Sequence, residues 1–120
     1  QAQAADLDPV RLQLGWFHQF QFAGYYAAEA QGYYRDAGLA VQIIEGGPGV
    51  NATQRVTDGQ ADFANGTSSL LLARHAGKPV VVLGVIFQHS PYVLIARQDN
   101  AAPVLQDLAG KRLALGDQAD

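Results

Sequence analysis

Val10, Leu12 and Leu14 alternate with Arg11 and Gln13. A period of two predicts a strand over 10–15. The period then changes. Ala23, Tyr26, Ala27, Ala30 and Tyr34 recur at helical spacing on one face, which predicts a helix through "FAGYYAAEAQGYYRDAG" closed at Gly38. "LAVQIIE" at 39–45 predicts a second strand, and a short helix follows over 51–58, ended by Gly59. "ADFANG" at 61–66 reads as a brief third strand. A third helix spans 67–77, with Thr67 or Ser68 as its cap and Gly77 at its close; Pro79 prevents continuation. "VVVLGVIF" at 80–87 is apolar without a break, the pattern of a strand covered on both faces. A strand at 92–97, one or two helical turns at 104–110 and a strand at 111–117 complete the chain.

Strands that alternate with helices predict an α/β fold: a three-layer lobe with a mainly parallel central sheet. Right-handed crossovers then gather the strand-to-helix loops along one edge of the sheet. Ligands of such sheets sit outside the carboxyl ends of the strands.

Composition narrows the function. The chain has 120 residues, enough for one compact domain, with 48% apolar and 16% charged residues and a net charge of −3. That balance gives no basic surface for nucleic acid. Cysteine is absent, so thiolate chemistry, disulfides and cysteine metal sites are excluded within these residues. The longest apolar run, Val80–Phe87, is too short to span a bilayer. Residues 1–8, "QAQAADLD", read either as the flank left by a removed secretory signal or as a plain disordered terminus.

Four loops are expected to meet at the ligand edge: Trp16–Gln21, Gly46–Gly49, Asn65–Ser68 and Gln88–Pro91. None contains Lys, Arg, Asp or Glu. They offer aromatic faces, amides, hydroxyls and bare backbone, which suits a flat, polar, weakly charged small molecule. The expected ligand-binding set is Trp16, His18, Gln19, Gln21, Tyr25, Gly46, Gly47, Gly49, Asn65, Thr67, Ser68, Gln88, His89 and Ser90. Trp16 follows the strand directly and is placed to stack on a ring. Tyr25 serves equally as a ligand contact or a core tyrosine, and Phe22 is expected in the core. "EGGPG" at 45–49 lacks the ending of a P-loop and the spacing of a dinucleotide fingerprint. Its glycines still permit close backbone approach, or simply make a tight turn.

Catalysis finds little support. There is no Gly-x-Ser-x-Gly elbow, and no pair of carboxylates within the four loops. His18 and His89 lack a third ligand at this edge, so no metal site is expected, and no cofactor. His75 belongs to a helix C-terminus and reads as structural.

The stretches "LQLGWFHQFQFAGYYAAEAQGYYRDAGLAVQIIEGGPG" and "VTDGQADFANGTSSLLLARHAGKPVVVLGVIFQHSPYVLIAR" together resemble the type II periplasmic substrate-binding fold. More narrowly they resemble the thiamine-pyrimidine-precursor, NMT1/THI5-like branch. "HQFQFAGYYAA", "EGGPG" and "IFQHSP" resemble a bacterial subgroup found in periplasmic sensor regions of membrane signalling proteins and in importer binding proteins.

The resemblance implies two lobes around a ligand cleft. Residues 9–100 would form the first lobe and 101–120 the crossover and start of a second, largely absent one. It puts Trp16 at the family's ring-stacking position, and Gly46–Gly49 and Asn65–Ser68 at its ligand- or phosphate-contacting turns. It implies an extracytoplasmic, periplasmic, non-enzymatic binding domain for a small, pyrimidine- or thiamine-precursor-like molecule. The expected role is the sensing module of a membrane signalling protein; the alternative is the binding protein of an importer. Expected partners are the ligand, the second lobe, and downstream signalling domains or a permease, with self-association of an isolated lobe. The pyrimidine-precursor synthases of the branch use a cysteine-rich motif, a first-loop histidine that falls near Phe22 here and a cofactor lysine with no counterpart. Those departures disfavour synthase activity.

Overall fold

The computed structural model describes residues 7–91, 93–95, 97 and 104–114. They divide into two units, one running to Val81 and one starting at Val82.

The first unit is built on a parallel sheet. Its strands are β1 (Asp8–Gln13), β2 (Leu39–Ile44) and β3 (Phe63–Ala64), in the order β2-β1-β3. β1 pairs with β2 over its whole length, from Asp8 opposite Leu39 to Gln13 opposite Ile44. It pairs with β3 only through Leu12 and Gln13, opposite Phe63 and Ala64. The central position of β1 alters how its alternation reads. Leu12 and Leu14 are buried as the pattern predicts, but Gln13 is buried too, at 3% exposure. Its Nε2 donates to the carbonyls of Leu14 (2.9 Å) and Glu45 (3.1 Å) and reaches that of Ile44 at 3.4 Å. A polar side chain that would face water on an edge strand here bonds the ends of two strands together. Arg11, the other polar member, forms an ion pair with Asp62 just before β3, at 2.9 Å.

Four short helices connect and follow the strands: α1 (Ala23–Ala30), α2 (Tyr33–Asp36), α3 (Ala52–Thr57) and α4 (Leu70–His75). The single helix predicted through to Gly38 is two. Gly32 takes φ +80°, a left-handed conformation that ends α1, and α2 restarts at Tyr33. The apolar period runs on through Tyr34, so the pattern alone gives no sign of the break. α3 begins as predicted, with Asn51 Oδ1 accepting the Gln54 amide at 2.8 Å. α4 starts later than predicted, with Ser69 at the N-cap position and no side-chain cap bond. The Thr67 hydroxyl accepts the Ser69 amide at 3.3 Å.

From β1 the chain moves outward to β2, then crosses back past β1 to β3. With both crossovers right-handed, α1 and α2 cover one face and α3 the other. The outgoing loops of the adjacent strands β1 and β2 therefore diverge. That divergence is the topological switch point, where an open α/β sheet has its crevice.

The second unit departs from expectation. Val82–Phe87 was predicted as part of a strand buried on both faces, but no residue from Val80 to Phe87 is in a strand, and Leu83 is 74% exposed. An unbroken apolar run signals a need for cover on two faces without supplying the cover. β3 is only two residues long. The strand predicted over 92–97 is not formed at Val93–Ile95 or Arg97; its remaining residues lie outside those described. Residues 111–114 are likewise not in a strand, and 115–117 lie outside the described residues. The helical turn expected near 104–110 is present as a 3-10 turn over Leu105–Leu108. Among the described residues no helix is long and apolar enough to cross a membrane.

Candidate functional site

The carboxyl ends of β1 and β2 come together so closely that only glycine fits between them. A Cβ on Gly46 would lie 2.3 Å from the Leu14 carbonyl oxygen and 2.6 Å from the Trp16 nitrogen. Both are backbone atoms, so no side-chain rotation relieves the clash. The Gly46 amide donates to the Trp16 carbonyl at 2.9 Å, and the Leu14 amide to Ile44 at 2.9 Å. The sheet ladder thus continues past its last paired residues and fixes the start of the first loop against the start of the second.

The third loop joins at the same edge. The Asn65 amide donates to the Gln13 carbonyl at 3.0 Å, and a Cβ on Gly15 would lie 3.2 Å from Asn65 Oδ1. Gly15–His18, Glu45–Gly47 and Asn65 therefore form one lip at the switch point.

The side chains on this lip hold one another. Trp16 is half-buried, and its ring meets Phe17 edge-on at 5.5 Å. Phe17 in turn packs against Gly47, where an added Cβ would lie 3.1 Å from the ring. His18 Nδ1 lies 2.8 Å from the Tyr26 hydroxyl on α1. The His18 amide donates to Glu45 Oε1 at 2.8 Å. Glu45 corrects the expectation of a charge-free edge: it stands one residue before the second loop as drawn from sequence, and its carboxylate reaches across to the first. Tyr26, noted only for its place in the helical period, is the other member that sequence reasoning missed. Its spacing from His18 becomes visible only once the turn is folded.

The remaining expected residues are placed as follows. Tyr25 is half-buried and stacks on the buried Phe22, with ring centroids 6.4 Å apart. Gln19 and Gln21 are exposed around the 3-10 turn Phe20–Phe22, whose Phe20 is 92% exposed. Gly49 lies in the turn that leads to α3. Thr67 bonds to Ser69 through their hydroxyls at 2.8 Å, and Ser68 accepts the Leu71 amide, so both serve the start of α4. Gln88, His89 and Ser90 are exposed and belong to the second unit. Among the described residues no three acidic, histidine or cysteine side chains group to hold a metal ion.

Chemically, the lip offers a half-buried indole, a phenyl ring, an anchored imidazole, one carboxylate and close backbone. Such an assembly can stack a flat ring and direct a few hydrogen bonds to its edge.

The family model described as NMT1/THI5-like matches residues 19–119. The chain is 30% identical over 112 residues to riboflavin-binding protein RibY of Chloroflexus aurantiacus, covering 91% of this chain and 32% of that protein. It is 27% identical over 107 residues to 4-amino-5-hydroxymethyl-2-methylpyrimidine phosphate synthase of Legionella pneumophila, covering 87% of this chain and 33% of that protein. The chain spans about a third of the length of these curated relatives. No solved structure matches it.

Proposed function

We propose a function from one premise: the chain belongs to the NMT1/THI5-like family. It is a non-enzymatic, extracytoplasmic domain that binds a small heteroaromatic molecule. The riboflavin named for one relative and the pyrimidine phosphate named for the other both contain a flat nitrogen heterocycle. The observation that carries this reading is the meeting of three loops at the β1–β2 switch point, with Trp16 on the lip they form.

The ring stacks on Trp16, and polar atoms at its edge bond to Gln19, Gln21, Asn65 and the backbone near Gly46. Gly49, Thr67 and Ser68 complete the contact set within the first unit. Glu45 Oε1 is held by the His18 amide, and His18 Nδ1 by the Tyr26 hydroxyl. These bonds support a rigid binding edge rather than a proton-transfer pair.

The bound molecule would be enclosed by a second lobe, and closure would report occupancy to a membrane signalling protein. Closure follows binding only where the ligand prefers the closed state. The exposed apolar residues between Val81 and Phe87 favour self-association of the chain on its own.

Calorimetric titration with riboflavin and with 4-amino-5-hydroxymethyl-2-methylpyrimidine tests the reading. At least one is expected to bind, and Trp16→Ala is expected to weaken it by about 1 kcal/mol or more, the scale of an aromatic contact. No heat from either compound, or unchanged affinity in Trp16→Ala, would contradict it.

A further inference from the structure

The charges of the first unit are distributed unevenly. Its basic side chains are Arg11, Arg35, Arg55, Arg74 and Lys78. Arg11 is held by Asp62. Arg35, Arg55 and Arg74 stand in the last turns of α2, α3 and α4. In a parallel α/β sheet each helix leaves the edge where strands end and runs back towards the edge where strands begin. α2 and α3 lead back into β2 and β3, so Arg35 and Arg55 lie away from the lip, while Arg74 Nη1 donates to the Val80 carbonyl at 3.5 Å and Lys78 follows α4. The lip itself carries one fixed charge, the exposed carboxylate of Glu45. Its position is set by the bond from the His18 amide, two residues beyond Trp16.

We propose that Glu45 is a specificity-determining residue that selects unphosphorylated heteroaromatic ligands over their phosphate esters. The inference rests on the ligand-binding reading above and names the class of ligand within it. A phosphate ester carries about −2 near neutral pH. Stacked on Trp16, such a ligand would bring that charge to an edge with a fixed carboxylate and no basic side chain on the lip to meet it. Neutral or cationic heterocycles incur no such repulsion. The amide or imino N–H of a heterocycle also gains an acceptor in the carboxylate, whose second oxygen has no bond among the described residues.

The test compares matched probes: riboflavin against flavin mononucleotide, and hydroxymethylpyrimidine against its phosphate. Calorimetry on the chain is expected to give roughly tenfold or greater preference for the unphosphorylated member at low salt. Glu45→Gln keeps an oxygen to accept the His18 amide but removes the charge, so the preference should shrink towards parity while the unfolding midpoint holds. Raising ionic strength to about 1 M, where the screening length is about 3 Å, should narrow it in the same way. Equal or tighter binding of the phosphorylated members, or a preference that Glu45→Gln leaves intact, overturns the role of Glu45 and leaves the ligand class standing. Silence from all four probes overturns both.

Discussion

Leu14 and Leu83 are the same residue in two different circumstances. Leu14 directly follows β1, is fully buried and sits where three loops meet. Leu83 lies in a longer and more hydrophobic run, yet it is 74% exposed and belongs to no strand. Hydrophobicity does not separate them. The backbone around them does: Leu14 donates to Ile44, its carbonyl receives the Gln13 amide, and Gly46 leaves room for all of it. The run around Leu83 has no such partner strand among the described residues. An apolar side chain stabilises a fold only where hydrogen-bonded backbone brings other atoms up to cover it.

The largest expected effect comes from removing what allows that approach. Gly46→Val places a branched side chain where a Cβ alone would meet backbone at 2.3 Å. The strand ends must separate, and we expect a loss of about 4 kcal/mol or more by urea unfolding. A loss of under about 1 kcal/mol would mean the two strand ends are not joined as described.

A second, smaller contrast tests the comparison directly. Leu14→Ala should cost about 2–5 kcal/mol, the range for a fully buried leucine. Leu83→Ala should stay within about 0.5 kcal/mol, as exposed substitutions do. Equal costs would show that the apolar run is covered after all.

These two leucines also show how far the sequence could be read. Local chemistry was legible. The first strand, the second strand at 39–45 and the short helix at 51–58 depend on neighbours within a few residues, and each is present with its ends shifted by no more than two residues. What depends on a distant partner was not. Gln13 looks like an outward-facing residue until β2 and β3 are placed on both sides of its strand. Glu45 lies just outside the loop drawn from composition, and only the fold turns its carboxylate to His18. Gly32 breaks a helix whose apolar period continues unbroken. The run at 80–87 states that it should be covered without stating by what.

The smallest effect expected is electrostatic. The Arg11 side chain and amide hold the Asp62 carboxyl down at about 2, well below its usual range. A carboxyl depressed in the folded state adds stability above its unfolded value, near 3.9, and loses it as pH falls through about 2. The stability gap between the chain and Asp62→Asn should therefore be constant above about pH 5 and shrink towards zero as the pH falls to about 2. The gap will be small, because the pair is solvated. A gap that grows on acidification would contradict the pairing.

The central claim is that the β1–β2 lip is where a flat heterocycle is held. Trp16 is the only tryptophan in the chain, so its emission reports on that lip alone. The direct measurement is acrylamide quenching of that emission during titration with whichever of riboflavin or hydroxymethylpyrimidine gives calorimetric heat. The account predicts that quenching falls as the compound is added and saturates at the concentration where the heat does. Quenching that stays constant while the heat saturates would place the ligand elsewhere on the chain and contradict it.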